Sequence, residues 1–303
     1  MSKVTIGLDI AKSVFHLVFM NQSGRVLRKK KLRRHQMLSY FSQLEPCLVV
    51  MEACGSCHYW CRELTKAGHE VKAIAPQYVV AYRKGNKHDY NDAEAIAEAS
   101  QREGMRFVPF KSQDQQDIQL MHRIRERMIA QQTALSNQIR GLLSEYGIVY
   151  ARGVATLVKE LPLTLEEADN GLSMLARRQF QGLLNDLREL REHIKEMDKE
   201  LKAFSQSQPV CERLMSMTGI GPLIATALYA GIGQGQAFNS GRHLAAWLGV
   251  VPKQHTTGDN PRLLGISKRG NTYLRTQIIN GARAALRHIG DKTDKVSEWC
   301  RAC

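Results

Sequence analysis

A regular stripe of apolar residues near the middle of the chain restricts its fold more than any other feature of the sequence. The stripe advances in alternating steps of four and three residues, through Leu183, Leu187, Leu190, Ile194, Met197, Leu201 and Phe204. This spacing keeps the apolar side chains on one side of an α-helix, so the segment is predicted to be a long helix that packs against a partner. An antiparallel helical hairpin, a dimeric coiled coil and plain bundle core all meet this requirement.

A second helical segment precedes this stripe. From Ile118 to Leu142, apolar residues recur with a spacing of three and four, interrupted by glutamines. Residues 151–174 contain Pro162 and Gly171, and these residue types predict a bend between the two helices. After residue 208 the pattern is again helical but punctuated by glycine, which indicates a separate helical domain.

The first 105 residues have the pattern of an α/β domain instead. Short apolar runs at 3–8, 14–20, 47–51 and 70–75 predict strands, with a helix after the third run. Hairpin strands followed by strands that alternate with helices are typical of a mixed sheet, as in RNase H-like folds. We therefore predict an α/β domain at 1–105, long helices with a coiled-coil linker at 106–208, and a helical C-terminal domain at 209–303.

The balance of charge indicates the kind of partner. The chain has 43 Lys and Arg residues against 29 Asp and Glu residues, which gives a formal net charge of +14. A compact protein with this excess repels itself unless a polyanion neutralises it, so we expect DNA or RNA, with a membrane surface as the alternative. No stretch approaches the roughly 18 apolar residues of a bilayer span, and the N-terminus lacks the layout of a signal peptide, which predicts a cytoplasmic, nucleoid-associated protein.

The basic segment at 25–34 and the cysteines each have two possible explanations. Seven of the ten residues at 25–34 are basic, which is typical of a solvated edge strand that resists aggregation and equally of a nucleic-acid contact. The chain also has seven cysteines, four of which form the C-x-x-C pairs Cys54/Cys57 and Cys300/Cys303. An odd number in a reducing compartment predicts free thiols, and a zinc site built by the two pairs is the alternative.

Carboxylates near the ends of predicted strands suggest a metal site. Asp9 is predicted to end the first strand and Glu52 a later one, while Asp89 and Asp92 lie three residues apart at the start of a predicted helix that runs to Ala99. Phosphodiester chemistry in sheet-based nucleases requires converging carboxylates that hold two Mg²⁺ ions about 4 Å apart. Taken singly, each aspartate has an ordinary alternative role as a helix-start or turn residue.

Candidate DNA-binding residues lie in the C-terminal region. Gly219 and Gly221 lie in a segment (TGIGP) that resembles the hairpin of helix-hairpin-helix modules, where backbone N–H groups approach a phosphate, and a tight turn between packed helices is the alternative. Ser240 precedes an amphipathic helix and is predicted to be its N-cap. Downstream, residues 255–258 and 265–271 are predicted to form a basic, glycine-bearing loop that suits a phosphate backbone, and a solvent-exposed loop is the alternative. The basic residues predicted to contact DNA are Arg242, Lys268 and Arg269.

Several motifs occur in a fixed order: GLDIAK at 7–12, MEACG at 51–55, KHDYNDA at 87–93 and RGLLSEYG at 140–147, followed by the Gly-Ile-Gly and Ser-Gly-Arg segments. From residue 3 to about residue 299, this set resembles the DEDD-type transposases of the insertion-sequence 110/1111 family, which are related to Piv invertases. The resemblance implies a RuvC-like domain that uses Asp9, Glu52, Asp89 and Asp92 with magnesium. It also implies a C-terminal transposase domain whose serine, here Ser240, attacks DNA covalently.

The same resemblance implies partners beyond the DNA of the element ends and the target. Members of the family are guided by a structured RNA that their own element encodes, and they assemble as multimers, which predicts a guide RNA and a homodimer or homotetramer. Members usually continue with a further basic, apolar helix after the segment that corresponds to residues 291–299, whereas this sequence ends at Cys303. On this ground we expect the chain to be impaired in transposition.

Other classes of protein share parts of the pattern. Sugar kinases and actin-like ATPases open with a similar glycine-aspartate motif, but they need a second glycine-rich phosphate loop and a longer chain. A Holliday-junction-type nuclease that hydrolyses DNA with water would use the carboxylates without Ser240, and a non-catalytic DNA-binding protein would use neither. A covalent protein–DNA adduct that depends on Ser240 separates the transposase from both.

Overall fold

The computed structural model describes residues 4–86, 88–258, 260–290 and 293–302. The chain divides into two compact units, Met1–Gln113 and Asp114–Cys303. The predicted boundaries at 105 and 208 stay a prediction. No helix in the described part of the chain is long and apolar enough to cross a membrane.

The first unit is built on a mixed sheet, as the sequence predicts, and this sheet has six strands, of which the sixth was not predicted. Its strands are β1 (Thr5–Ile10), β2 (Val14–Met20), β3 (Val26–Arg33), β4 (Leu48–Glu52), β5 (Glu70–Ile74) and β6 (Phe107–Val108). In the spatial order β3-β2-β1-β4-β5-β6, the pairs β1/β4 and β4/β5 are parallel and the other three pairs are antiparallel. This arrangement is compatible with the predicted RNase H-like class.

Helices cover both faces of this sheet. They are α1 (Met37–Ser42), α2 (Cys57–Lys66), α3 (Pro76–Val79) and α4 (Asp89–Ser100). On one face, α1 and α2 bury the main apolar core, in which Phe15 and Trp60 meet edge to face at 5.1 Å. On the other face α4 packs directly on β1, because a Cβ atom at Gly7 would overlap the carbonyl oxygen of Ala93. Glycine at position 7 therefore sets how close the start of α4 comes to the sheet.

The prediction that Asp9 ends the first strand is wrong by one residue. Strand β1 continues to Ile10, because β2 pairs with it throughout and matches Asp9 with His16 and Ile10 with Phe15. Glu52 does end β4, and Asp89 begins α4, as predicted. Asp9 therefore lies inside a paired strand, where its side-chain direction is fixed by the pleat of the sheet.

Long helices open the second unit: α5 (Gln113–Ser144, which starts at the boundary between the units), α6 (Val154–Glu166) and α7 (Met174–Ser207). Helices α5 and α7 are antiparallel, since Ile118 near the start of α5 packs with Leu201 near the end of α7. The Arg125 guanidinium joins them through Asp198, with Nε 2.6 Å from Oδ1. All seven residues of the predicted apolar stripe are at least partly buried. A supercoiled geometry and a dimeric coiled coil stay predictions.

The predicted bend at 151–174 is wrong over most of its length. Helix α6 occupies 13 of these residues and includes Pro162 in its interior. Its residues Leu157 and Leu161, four apart, are fully buried in a cluster with residues of α5 and α7. Burial of this apolar face outweighs the backbone hydrogen bond that Pro162 cannot donate.

The remainder of the second unit consists of shorter helices and one hairpin: α8 (Pro209–Met215), α9 (Pro222–Ile232), α10 (Gly241–Leu248), β7 (Pro252–Thr257), β8 (Asn260–Ile266), α11 (Thr272–Arg287) and α12 (Lys295–Ala302). The sequence predicts only helices and loops here, with residues 255–258 in a loop, so the β7–β8 hairpin is a correction. Every described residue of the two strands except Ile266 is exposed. Because neither face is buried, the sequence lacks the apolar alternation that marks a strand.

Candidate active site

Three side chains from distant parts of the sequence meet on the α4 face of the sheet. The β1–β2 register places Asp9 beside His16, and the start of α4 brings Asp89 Oδ2 to 3.3 Å from His16 Nδ1. One potential ligand atom from each of these residues lies within 4.8 Å of the others. This is the tightest group of metal-ligating side chains among the described residues.

The other two predicted carboxylates lie on the same side of the sheet or beside it. Strand β4 pairs Val50 with Gly7, so alternation along the two strands brings Glu52 and Asp9 out on one face. Asp92 is one helical turn from Asp89 and is held by Arg83, whose Nη1 is 3.3 Å from its Oδ1. Neither Glu52 nor Asp92 belongs to the 4.8 Å cluster.

The protonation behaviour of Asp9 reflects this crowding of negative charge. Burial is the main reason that the pKa of the Asp9 carboxyl rises to about 6. The negative charges of the other three predicted carboxylates, Asp89, Asp92 and Glu52, raise this pKa further. These three carboxylates are thus close enough to act electrostatically on Asp9, and a bound cation would relieve this repulsion. Oxygen ligands of this kind suit Mg²⁺.

His16 is the residue of this cluster that sequence reasoning missed. Its side chain is 8% exposed and its ring meets Tyr90 edge to face at 4.7 Å. Burial lowers the pKa of the His16 imidazole, although the Asp89 carboxylate opposes this shift. The available signal was the hairpin itself, because tight pairing of the first two strands places Asp9 opposite a residue near position 16.

Ser240 is the N-cap of α10, as predicted. Its Oγ accepts a hydrogen bond from the backbone N–H of His243 at 3.3 Å, and its backbone is extended. The residue is exposed, as is Arg242 in the first turn of the helix. Both residues are therefore exposed at the start of α10, on the surface of the second unit.

The loop that contains Lys268 and Arg269 packs closely against the end of α10. Cβ atoms at Gly249 and Gly270 would overlap backbone atoms of the opposing segment, so the two backbones touch. Below them, the buried Arg275 side chain donates from Nη1 to the carbonyl oxygens of Leu248 and Arg269, at 3.1 Å each. The two basic side chains remain exposed on this fixed loop.

The glycines of the TGIGP segment connect α8 to α9. Gly219 has a φ of +87°, and a Cβ atom there would lie 2.9 Å from the carbonyl oxygen of Gly281 in α11. The alternative of a tight turn between packed helices therefore describes Gly219. An open groove of about 490 Å³ runs along residues 215–221 beside Gly281 and Ala284. Phosphate binding there by Gly219 and Gly221 stays a prediction.

The described cysteines are all free thiols. Burial raises the pKa of the Cys54 thiol to about 11, and Cys57 Sγ lies 3.7 Å from Cys61 Sγ. Cys303, like Lys87 of the KHDYNDA motif, lies outside the described residues. The zinc alternative stays untested.

Comparisons with known proteins match both units. Residues 6–148 match a family model described as "Transposase", and residues 211–297 match one described as "Transposase IS116/IS110/IS902 family". A probable family 20 transposase of Pseudomonas aeruginosa is 45% identical over 295 residues, which cover 97% of this chain and 87% of the relative. The transposase for insertion sequence element IS1111A of Coxiella burnetii is 44% identical over 297 residues, with coverages of 98% and 82%.

A more distant relative is the pilin gene-inverting protein of Moraxella bovis, which is 25% identical over 281 residues, or 85% of this chain and 75% of the relative. The four carboxylates lie within the first matched segment, and Ser240 with its basic neighbours lies within the second. Each set of candidate residues is therefore inside a segment that resembles transposases.

Proposed function

Because this chain belongs to the IS116/IS110/IS902 family of transposases, we propose that it cuts and joins DNA strands by magnesium-dependent chemistry that includes a covalent serine step. DNA transposition and recombination follow from the family. The metal, the serine and the assignment of residues are the proposal. Family membership does not favour the kinase or the non-catalytic DNA-binding alternative.

The observation that carries the metal site is the crowding of negative charge around Asp9. A carboxyl whose pKa is raised to about 6 by burial and by three like charges is costly to ionise unless a cation is bound. We assign Asp9, Glu52, Asp89 and Asp92 as the residues that would hold two Mg²⁺ ions. When bound, these ions would polarise the scissile phosphate and stabilise the charge that develops on it.

The chain's own residues orient this site. Pairing of β1 with β2 fixes the direction of Asp9, and the close approach of α4 at Gly7 fixes Asp89. The ion pair with Arg83 holds the Asp92 carboxylate in place. Such support keeps the ligands in position before DNA arrives, which reduces the reorganisation needed during the reaction.

Ser240 is assigned as the nucleophile. Its Oγ would attack the phosphorus of the scissile phosphodiester, forming a serine–phosphate ester while the bond from phosphorus to the leaving sugar oxygen breaks. The hydroxyl proton leaves Oγ and the sugar oxygen gains a proton. The N–H of His243 already donates to Oγ, which orients the hydroxyl oxygen and leaves its proton available for removal.

Nucleic-acid binding is assigned to the exposed basic and glycine-rich surface of the second unit. Arg242, Lys268 and Arg269 would contact phosphates, with Gly219 and Gly221 in a helix-hairpin-helix-like turn. The net charge of +14 supports a polyanionic partner, and a structured guide RNA is proposed beside the DNA. Assembly as a dimer or tetramer through the long helices, and association with the nucleoid, complete the proposal.

The test begins with the nucleic acid that copurifies with the protein, because sequencing it supplies the DNA and RNA for a cleavage assay. With Mg²⁺, a labelled DNA strand should become attached to the protein under denaturing conditions. Ser240→Ala and Ser240→Asn should both lose the adduct, although asparagine retains the helix cap. Asp9→Asn should lose cleavage altogether.

Three results would each contradict a part of this function. Cleaved DNA with free 5′-phosphate ends and no adduct would favour hydrolysis by water. An adduct that forms equally well in Ser240→Asn would remove Ser240 from the reaction. Unchanged cleavage by Asp9→Asn would remove the carboxylate site.

A further inference from the structure

The buried histidines of this protein differ in one respect. Histidines at three positions are buried: His16, His69 and His122. Both ring nitrogens of His122 have partners, at 2.9 Å from Tyr273 Oη and 3.0 Å from Thr226 Oγ1. His69 also has partners on both nitrogens. By contrast, His16 Nδ1 is buried and forms no hydrogen bond with any described residue, although it lies 3.3 Å from Asp89.

A buried imidazole nitrogen without a hydrogen bond costs free energy, so it calls for a partner. Nδ1 is the nitrogen that belongs to the cluster with Asp9 and Asp89, whose potential ligand atoms all lie within 4.8 Å of one another. That span is close to the distance of about 4–5 Å between two ligands on opposite sides of one Mg²⁺ or Ca²⁺ ion. The nitrogen is thus directed at the place where the two carboxylates would hold a cation.

The chemistry of this ligand set differs from that of carboxylates alone. Carboxylate oxygens suit Mg²⁺, Ca²⁺ and Mn²⁺, whereas an imidazole nitrogen is a better ligand for transition-metal ions than for Mg²⁺. Several transition-metal ions accept both kinds of ligand in one site, and Mn²⁺ is the one among them that also suits a carboxylate-rich site of the kind that holds Mg²⁺. A nitrogen beside two oxygens should therefore strengthen Mn²⁺ binding and leave Mg²⁺ binding almost unchanged.

We propose that His16 Nδ1 is a nitrogen ligand of the metal centre formed by Asp9 and Asp89, and that it makes this centre bind Mn²⁺ more tightly than Mg²⁺. This inference rests on the proposed metal function of the carboxylates. It adds a ligand and a metal preference to that function. The nitrogen comes from β2, so two paired strands and one helix would all contribute to the same ion.

The test is Mn²⁺ binding to the full chain, measured by titration and by electron spin-echo spectroscopy, which detects nitrogen bound directly to Mn²⁺. The unmodified protein should show a coordinated nitrogen whose modulation changes after labelling with ¹⁵N-histidine. His16→Gln should lose this signal and bind Mn²⁺ about 10- to 100-fold more weakly, while its affinity for Mg²⁺ changes less than about 3-fold.

A neighbouring histidine provides the matched control. His88 is exposed, and its Nδ1 accepts the N–H of Tyr90 as the N-cap of α4. His88→Asn keeps a capping side chain and removes one imidazole near the site, so its nitrogen signal and its Mn²⁺ affinity should match those of the unmodified protein. Labelling of the unmodified protein does not depend on the folding of any variant.

Any one of five outcomes would overturn the proposal. Bound Mn²⁺ without a histidine nitrogen in the unmodified protein excludes His16, as does a nitrogen signal that survives in His16→Gln. Loss of the signal in His88→Asn would show that the bound nitrogen belongs to His88 and not to His16. If the unmodified protein binds no divalent ion, or if Asp9→Asn binds Mn²⁺ unchanged, the proposed carboxylate centre fails and His16 fails with it.

Discussion

The two units of this transposase family member support their candidate residues in different ways. In the first unit, Asp9 and His16 are neighbours within a six-stranded sheet, and a close backbone contact at Gly7 locates the helix that supplies Asp89. In the second unit, Ser240 is exposed at the start of an eight-residue helix. The comparison teaches that core packing positions Asp9, His16 and Asp89. In the second unit, a helix cap positions Ser240, and a backbone contact with the end of α10 positions the loop that contains Lys268 and Arg269.

This difference predicts different consequences of substitution. Changes beneath Asp9, His16 and Asp89 should alter both the stability of the fold and the proposed metal site, since the same contacts support both. Changes around the serine should alter contacts with nucleic acid and leave most of the stability intact, since these side chains are exposed. Four predictions examine this contrast, in order of decreasing expected effect.

The largest effect is expected for Gly7→Ala. The new Cβ atom would overlap the Ala93 carbonyl, so α4 must shift, and the free energy of unfolding should fall by about 3 kcal/mol in urea denaturation. Gly182→Ala is the control, because nothing lies near that position in α7 and alanine should stabilise the helix by about 0.5–1 kcal/mol. Equal stability of the two variants would contradict close packing of α4 on β1.

The next effect concerns pH. The folded pKa of Asp9, about 6, is above its ordinary value of 3.8, so the folded state disfavours ionisation. Its stabilising contribution is complete below pH 3.8 and is lost as the pH rises through 6. After allowance for solvent screening at a partly exposed carboxyl, the loss should be about 1–2 kcal/mol.

Denaturation curves between pH 4 and 7 measure this loss. Asp9→Asn should flatten the pH dependence, and Mg²⁺ should restore stability at pH 7 in the unmodified protein. A pH dependence that is the same in both proteins would show that Asp9 ionises without cost in the folded state.

A smaller effect on stability is expected at Ser240. Ser240→Ala removes a cap with an exposed side chain, so the free energy of unfolding should fall by about 1 kcal/mol or less. Ser240→Asn should match the unmodified protein, because asparagine caps helices as well as serine does. Thermal unfolding followed by circular dichroism tests this. A loss several times larger would mean that Ser240 contributes to the stability of the fold as much as the packing around Asp9 and Asp89 does.

The smallest effect is expected on the basic strand β3. The register places Lys31 opposite His16, on the face of the sheet that carries Asp9 and His16. Lys30 lies on the other face, where its Nζ is 4.1 Å from the centroid of the Tyr40 ring. Lys31→Ala should weaken binding to duplex DNA by about 3- to 5-fold and lower the salt dependence by about one ion. Lys30→Ala removes the same charge and should change less. Equal losses measured by fluorescence anisotropy would favour a purely diffuse charge effect.

Much of the fold could be predicted because its apolar patterns are complete. The continuous apolar runs that form β1 and β2 are buried on both faces of the sheet, and the stripe along α7 is buried on one side of the helix. Both patterns can be read in the sequence. Three of the four candidate carboxylates lie where the sequence predicts them, since Glu52 ends β4 and both Asp89 and Asp92 are in the first turn of α4. Asp9 was misplaced by one residue, because the end of a paired strand depends on its neighbour in the sheet.

Other features could not be predicted because they depend on contacts between distant residues. The participation of His16 follows from strand register and from the arrival of α4, neither of which is a local property. Helix α6 forms despite Pro162 because α5 and α7 supply a cluster for its apolar side. The exposed β7–β8 hairpin has no buried face to mark it in the sequence.

The length of α7 fixes the distance between two apolar clusters of the second unit. A helix of 34 residues is about 50 Å long. Phe180 near one end packs in one apolar cluster, and Leu201 near the other end packs in a second cluster with Ile118 and Ala230. Because B-form DNA rises about 3.4 Å per base pair, the full length of α7 equals roughly 15 base pairs. A duplex gripped beside both ends of the helix must therefore present a footprint of at least that length to a single copy of the chain.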